Sequence, residues 1–368
     1  MADGPAERRR HILALDGGGV RGILTLRMLE AFEERFQTRV ADFFDFFAGT
    51  STGAIIAALL AFRNLSAREI LDLYRELAGR VFEWSLASSR FGRLVSRVMY
   101  SREFAERKLT EFFGDATLAS LPDGPRGPRG ILLTTHDLVR NEELFLSNFP
   151  LKTGKPNFGP TWKVRDAVAA SALSAPWYFG PWEGRFTDGG LTVFNMPARQ
   201  AAIEALDYCA RPDFEAGRTV LWSFGSGAFE TEFRRGDADG WLPWNWASRL
   251  FRDVQSDAEA DQVFGAMRMA SRGEIEFRRF QLTIGPSTLT DLGYVGEIPD
   301  LPIELDRAGA SDFLDEVGRL FGRRIDWEDP RGSRMTSPAA DPFADRQLWR
   351  SPEAPPHPTE RKPSARMT

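Results

Sequence analysis

One cysteine, three histidines and no apolar run of bilayer-spanning length mark what this 368-residue chain is short of. The lone thiol, Cys209, excludes an internal disulfide and fits a reducing compartment, where a buried, unreactive role is expected. The histidines are His11, His136 and His357, the last in a proline-rich tail. Catalytic zinc commonly uses several imidazoles, and no cysteine cluster could replace them, so no metal site is expected. A Ser–His–acid triad would have to use His11 or His136. His11 opens a short apolar strand, the wrong end for chemistry in an open α/β sheet. His136 sits in a strand-to-loop stretch that reads as structural. A formal net charge of −5 speaks against general nucleic-acid affinity. Mean hydropathy is −0.32 and nothing reads as a membrane span, so a soluble, cytoplasmic protein is expected. The N-terminus carries basic residues, but the apolar run after it is short and leads into a glycine-rich turn, unlike a secretory signal.

What is present centres on Phe46-Phe47-Ala48-Gly49-Thr50-Ser51-Thr52-Gly53-Ala54-Ile55-Ile56. An apolar run enters a Gly-x-Ser-x-Gly turn and a helical apolar run leaves it. Strand, tight turn and helix in that order are the mechanical requirement for a nucleophile elbow. Gly49 and Gly53 remove side chains where chain reversal and helix packing need room, and Ser51 is forced outward beside a helix N-terminus. Upstream, His11–Leu15 reads as a buried strand ending at Asp16, followed by Gly17-Gly18-Gly19-Val20-Arg21-Gly22 and an amphipathic helix over 23–36. Gly17, Gly19 and Gly22 also fit a dinucleotide-binding G-x-G-x-x-G. That use needs an acid at the end of the next strand, where Gly49-Thr50-Ser51 stands instead, while Asp42 and Asp45 lie at its beginning. The competing use is an oxyanion hole, with both turns at strand ends facing one crevice.

Further along, Ser66 and Glu69 form a capping box for a helix through about residue 78. Residues 80–113 carry an apolar stripe with Arg90, Arg93, Arg97, Arg102 and Arg107 around it. They read first as a cap or lid over the core, and second as a segment lying on an anionic membrane. Strands are expected over 131–138, 143–148, 220–224 and 277–284, and helices over 167–172, 198–206 and 311–320. Phe186-Thr187-Asp188-Gly189-Gly190 puts a carboxylate on a bare turn. Trp241, Trp244 and Trp246 are concentrated in one loop-like stretch, open to lipid contact or to a buried hinge. The domain limits expected are a lead-in at 1–10, one globular domain at 11–325 and a disordered tail at 326–368.

Asp16-Gly-Gly-Gly-Val-Arg-Gly22, Gly49-Thr-Ser-Thr-Gly53 and Asp188-Gly-Gly190, in that order, resemble the motifs of the patatin-like phospholipase family. The likeness extends to Ser171-Ala-Leu-Ser-Ala-Pro176, to Asn195-Met-Pro197 and to Phe224-Gly-Ser-Gly227, and covers roughly residues 11–320. Met196 interrupts the usual Asn-Asn-Pro, a departure in packing rather than chemistry. The resemblance implies an α/β three-layer sandwich with a mostly parallel central sheet flanked by helices. It implies a lipid acyl hydrolase, phospholipase A in type, cleaving acyl esters of glycerophospholipids through an acyl-serine. Ser51 would be the nucleophile, Asp188 its base, and the backbone of Gly17, Gly18 and Gly19 the oxyanion hole. Arg21, Gly49, Gly53 and Gly189 would support them. The scarcity of histidine agrees, because a Ser–Asp dyad needs no imidazole. A carboxylate is a weak base, so Asp188 should be buried to raise its proton affinity. No cofactor is expected, and no acidic calcium loop is present. The substrate partner would be a phospholipid or another acyl lipid, with peripheral membrane contact through Trp241, Trp244, Arg90, Arg93 and Arg97. A broad esterase, thioesterase or acyltransferase, or a lipid-binding or storage protein with incidental hydrolysis, are the alternatives.

Overall fold

The computed structural model describes residues 9–81, 100–176, 178–230, 236, 238–303, 306–328 and 334–335. The expected lead-in and tail, most of the expected lid and the three arginines Arg90, Arg93 and Arg97 therefore lie largely or wholly outside the described residues.

The chain opens with β1 (Arg10–Leu15), a glycine-rich turn, α1 (Gly22–Phe36), a helical turn α2 (Val40–Phe43) and β2 (Phe46–Gly49). The helices α3 (Thr52–Arg63), α4 (Ala67–Val81) and α5 (Glu103–Phe113) follow, then β3 (Gly130–Asp137), β4 (Glu142–Ser147), α6 (Val164–Ala172) and β5 (Phe186–Asp188). After α7 (Ala198–Ile203) come β6 (Thr219–Phe224), β7 (Ala228–Phe229), α8 (Pro243–Ser271) and β8 (Ile275–Ile284). The described part closes with α9 (Pro286–Leu292), α10 (Ser311–Gly322) and β9 (Arg334–Met335).

The strands form one sheet in the order β4-β3-β2-β1-β6-β8-β7. Strands β3, β2, β1, β6 and β8 run parallel, while β4 and β5 pair antiparallel with β3. The architecture is thus α/β, with a mostly parallel central sheet flanked by helices. Parallel strands covered on both faces need apolar side chains in both directions. Leu13, Leu15, Phe47, Leu133, Trp222 and Phe224 join one buried cluster with α1, α3 and α4. The intervening Ile12, Ala14, Phe46, Leu132 and Leu221 point the other way and are buried as well. There α7 packs on β1 and β6, presenting the small residues Ala198, Ala201 and Ala202.

The order of the strands places the site. From β1 the chain steps to β2 and β3 on one side, and later to β6 and β8 on the other. That divergence is a topological switch point, and its crevice lies outside the carboxyl ends of β1, β2 and β6. The three glycine-containing turns after those strands all open there.

Most expected elements stand where the sequence pattern put them, with three differences. Phe43, expected to open a second strand over about 43–48, belongs instead to the turn α2. The helix expected over 198–206 shortens to α7 and continues as one wide turn, Glu204–Tyr208. Like the short α9, the 29-residue α8 has no counterpart in the sequence reading. Its buried positions, Ala258, Gln262, Val263 and Ala266, are mostly small or polar, whereas Leu242, Trp246, Leu250 and Val254 are each about half exposed. The apolar residues therefore do not mark the buried face, and periodicity is silent. Among the described residues no helix is long and apolar enough to cross a membrane.

Candidate active site

Ser51 sits between β2 and α3 with φ 53° and ψ −123°. A side-chain-bearing residue held there is strained by about 1–3 kcal/mol, a cost that the surrounding packing must offset. The two elbow glycines are sterically obligatory. A Cβ on Gly49 would stand 2.3 Å from the Gly53 carbonyl oxygen, and one on Gly53 would stand 2.2 Å from that of Leu15. The Ser51 N–H donates to the Ser171 hydroxyl at 3.0 Å, which ties the elbow to α6.

The Ser51 hydroxyl donates to Asp188 Oδ2 at 2.7 Å. Asp188 ends β5, which is held in register by β3, with Thr135 opposite Asp188. Its second oxygen accepts the Gly190 N–H at 2.7 Å, so the carboxylate caps its own turn and is fixed in rotation. Gly189 must be bare because a Cβ would meet Thr134 Oγ1 at 2.3 Å. Asp188 is buried, and burial pushes its carboxyl up to about 6 against the pull of its two hydrogen bonds. Among the described residues no Lys or Arg pairs with it. A carboxylate raised this way, one bond from a serine hydroxyl, is poised to take a proton.

The glycine-rich turn lies beside this pair. A Cβ on Gly17 would stand 3.2 Å from Ser51 Cβ, so the two turns touch. Three carbonyls of the turn are tied back. Gly17 O accepts from the buried Ser226 hydroxyl at 2.8 Å. Gly18 O accepts the Arg21 N–H and Nε at 3.1 and 3.2 Å. Gly19 O accepts from Thr52 Oγ1 at 2.9 Å and from the Tyr74 hydroxyl. In a trans peptide the N–H points opposite the carbonyl, so fixing Gly17 O and Gly18 O fixes the N–H groups of Gly18 and Gly19. Gly17 differs from the expectation for it: its own N–H donates to the Asn195 carbonyl at 3.0 Å and is occupied.

Below the turn, Asp16 is buried against Arg279, whose guanidinium donates to Asp16 Oδ2 and to Glu259 of α8, each at 2.6 Å. Burial pushes Asp16 up to about 7 despite that cation. On the other flank Gln255 of α8 donates to the Gly190 carbonyl. One helix thus braces both the glycine-rich turn and the aspartate turn.

From the serine an apolar pocket of about 90 Å³ runs between α3, α4 and α5, lined by Ile55, Tyr74, Leu77, Val81, Ala105 and Phe179, with Gly19, Ser51 and Asp188 at its head. Neither candidate triad histidine is at the site. His136 Nδ1 lies 3.2 Å from Glu143 on the β4 side. His11 is packed on Phe43 and Trp222 at the opposite ends of the strands, and burial lowers it to about 4. Sequence reasoning missed Tyr74, Ser226, Gln255 and Arg279. Ser226 stood in a small-residue turn that signals only a strand end, and the other three are ordinary helix or strand residues whose contacts are long-range.

A family model described as patatin-like phospholipase matches residues 13–202. The calcium-independent phospholipase A2-gamma of Oryctolagus cuniculus is 30% identical over 231 residues, 61% of this chain and 29% of that protein. Patatin-like protein 2 of Oryza sativa subsp. indica is 26% identical over 317 residues, 73% of this chain and 76% of that protein. The intracellular phospholipase A2 of Caenorhabditis elegans is 30% identical over 336 residues, 86% of this chain but 29% of that protein. The chain thus spans about three-tenths of the length of the two phospholipases A2.

Proposed function

The chain belongs to the patatin-like phospholipase family, and from that premise we propose that it hydrolyses acyl esters of membrane lipids, glycerophospholipids above all, through an acyl-serine on a Ser51–Asp188 dyad. One observation carries the proposal: the 2.7 Å bond from the Ser51 hydroxyl to a buried carboxylate at the head of an apolar pocket. Asp188 takes the Ser51 proton as Oγ attacks the ester carbonyl. The N–H groups of Gly18 and Gly19 receive the developing oxyanion, where one donor is typically worth about 3 kcal/mol. Protonated Asp188 then passes its proton to the departing alcohol, leaving the acyl group on Ser51. A water, deprotonated by Asp188, releases the fatty acid and restores the serine. The acyl chain occupies the pocket between α3, α4 and α5.

Contact with a lipid surface fits the path of α8. Its later turns pack on β8, and Gln255 meets the catalytic turn. The residues from Pro243 to Gln255 continue for about 18 Å at 1.5 Å per residue. That stretch and its lead-in expose Leu242, Trp246, Leu250 and Val254, four residues apart, and Trp241 packs on Trp246. A tryptophan on such a stripe suits a membrane interface.

The deciding experiment is product analysis from liposomes of defined glycerophospholipids, wild type against Ser51→Ala. Free fatty acid and lysolipid should appear with the wild type and fall by at least about 10⁴-fold in the variant. Equal turnover by the variant would remove Ser51 as the nucleophile. Flotation with the same liposomes should weaken in a Trp246→Ser/Leu250→Ser variant, and unchanged flotation would remove the α8 stripe from the membrane contact.

A further inference from the structure

Tyr74 belongs at once to two parts of the site. Its ring lines the acyl pocket, and its hydroxyl donates to the Gly19 carbonyl in the glycine-rich turn. Thr52 Oγ1 donates to the same carbonyl and lies 3.0 Å from the Tyr74 oxygen, so two hydroxyls clasp one peptide group. Gly19 itself has φ 55°, a left-handed conformation in which its ψ is set by where that carbonyl points. The space is tight: a Cβ on Gly22 would meet Thr52 Cγ2 at 2.2 Å and the Tyr74 ring at 3.3 Å.

The pocket then continues along α4. Tyr74, Leu77 and Val81 recur on one helical face, and from Tyr74 to Val81 the axis advances about 10 Å. A short acyl group bound at Ser51 leaves this length empty. A longer one lies along it and fills the space against the Tyr74 ring.

Resting on the hydrolase reading above, we infer that Tyr74 is a positioning residue through which the enzyme reads acyl-chain length in kcat. A chain seated along α4 holds the Tyr74 ring, the Tyr74 hydroxyl holds the Gly19 carbonyl and with it the ψ of Gly19, and the residue that carries one of the two proposed donor N–H groups keeps its place in the turn. Binding energy from the non-reacting part of the substrate is thereby expressed in the transition state rather than in KM. Ser226 supplies the contrast. It fixes the same turn through the Gly17 carbonyl but does not line the pocket.

The test measures kcat and KM separately for p-nitrophenyl acetate, butyrate, octanoate and dodecanoate. In the wild type kcat should rise with chain length. Tyr74→Phe keeps the ring and loses the hydroxyl. It should lower kcat about five- to ten-fold on octanoate and dodecanoate, lower it by a clearly smaller factor on acetate, and leave KM for the long esters in place. Ser226→Ala should lower kcat by one common factor on all four esters. An equal loss on every ester in Tyr74→Phe, a change confined to KM, or no change at all would each overturn the inference. Ser51→Ala is run beside them. If it retains turnover, the hydrolase reading fails and takes the inference with it. If it is inactive while Tyr74→Phe keeps the wild-type chain-length profile, the inference alone fails. Thermal melts of Tyr74→Phe and Ser226→Ala verify that each loss is read on folded protein.

Discussion

Two buried carboxylates hang from the same antiparallel ladder between β3 and β5. Asp188 lies opposite Thr135, and two residues further along β3 Asp137 lies opposite Phe186. Asp137 accepts Nε–H of Arg185 at 3.0 Å and the N–H groups of Val139 and Arg140 at 3.0 and 3.3 Å. The Arg185 guanidinium holds it down at about 2. Asp188 accepts one hydroxyl and one N–H and pairs with no cation among the described residues, and burial sends it up to about 6. The same residue type, two ladder steps apart, is held as an anion in one place and has its proton affinity raised in the other. Both side chains are shielded from solvent, but desolvation dominates at Asp188, whereas at Asp137 the Arg185 guanidinium and two backbone N–H groups outweigh it. A carboxylate becomes a base when the fold buries it and withholds its cation.

Removing the base should break the comparison most sharply. Asp188→Asn should lower kcat/KM by about 10⁴-fold in an ester hydrolysis assay. The same change should stabilise the fold. A folded-state value raised from 3.8 to about 6 means that the native state holds its proton better than the unfolded chain. Stability from this group is therefore present at low pH and is lost as pH climbs from about 4 to about 6. The loss amounts to about 3 kcal/mol above that window. Thermal melts should show Asp188→Asn gaining at pH 8 and gaining little at pH 4.

Next in size is the pH dependence of turnover. With Asp188 as base, kcat/KM should fall about tenfold per unit below about pH 6 and level off above it. A profile with its inflection at 4 or below would show that the carboxylate is not desolvated in solution. Arg185→Gln attacks the other carboxylate. Asp137 is held low, so its contribution to stability is present above about 4 and is lost as pH falls towards 2. The variant should melt at lower temperature at pH 7, lose much of that difference under acid, and keep the wild-type pH–rate inflection. His136→Ala should do least. Its ring meets Glu143 rather than Ser51, and kcat should stay within about threefold of the wild type.

Much of the fold was legible because its strands are short apolar runs bounded by glycine, and its first helices carry one apolar face. The capping box at Ser66 is realised as read: Glu69 Oε2 accepts the Ser66 N–H at 2.7 Å, and the Ser66 hydroxyl accepts the Glu69 N–H at 3.2 Å. The pairing of Ser51 with Asp188 was legible only through the resemblance, since 137 residues separate them and nothing local in Asp-Gly-Gly distinguishes a base from a hairpin turn. Three glycines were expected as donors, but the Gly17 N–H is already taken. A glycine run announces accessible N–H groups, but not that the Asn195 carbonyl takes one of them. Tyr74, Gln255 and Arg279 could not have been read, because each acts across elements whose approach is set by the whole sheet.

The position of β1 has a practical side. Every group proposed above for catalysis lies before residue 190, which invites trimming the chain to that length. Yet β1 is an inner strand only because Thr219–Phe224 pairs along its far side. Cut before that partner, β1 would become an edge. The row of backbone groups from Arg10 to Leu15 would lie open, and Gly17 would lose the Ser226 hydroxyl that anchors its carbonyl. Such a fragment would carry both halves of the dyad in its sequence and present a bare apolar strand to other chains. Its expected fate is aggregation, so the smallest fragment of this chain expected to fold extends at least through β8.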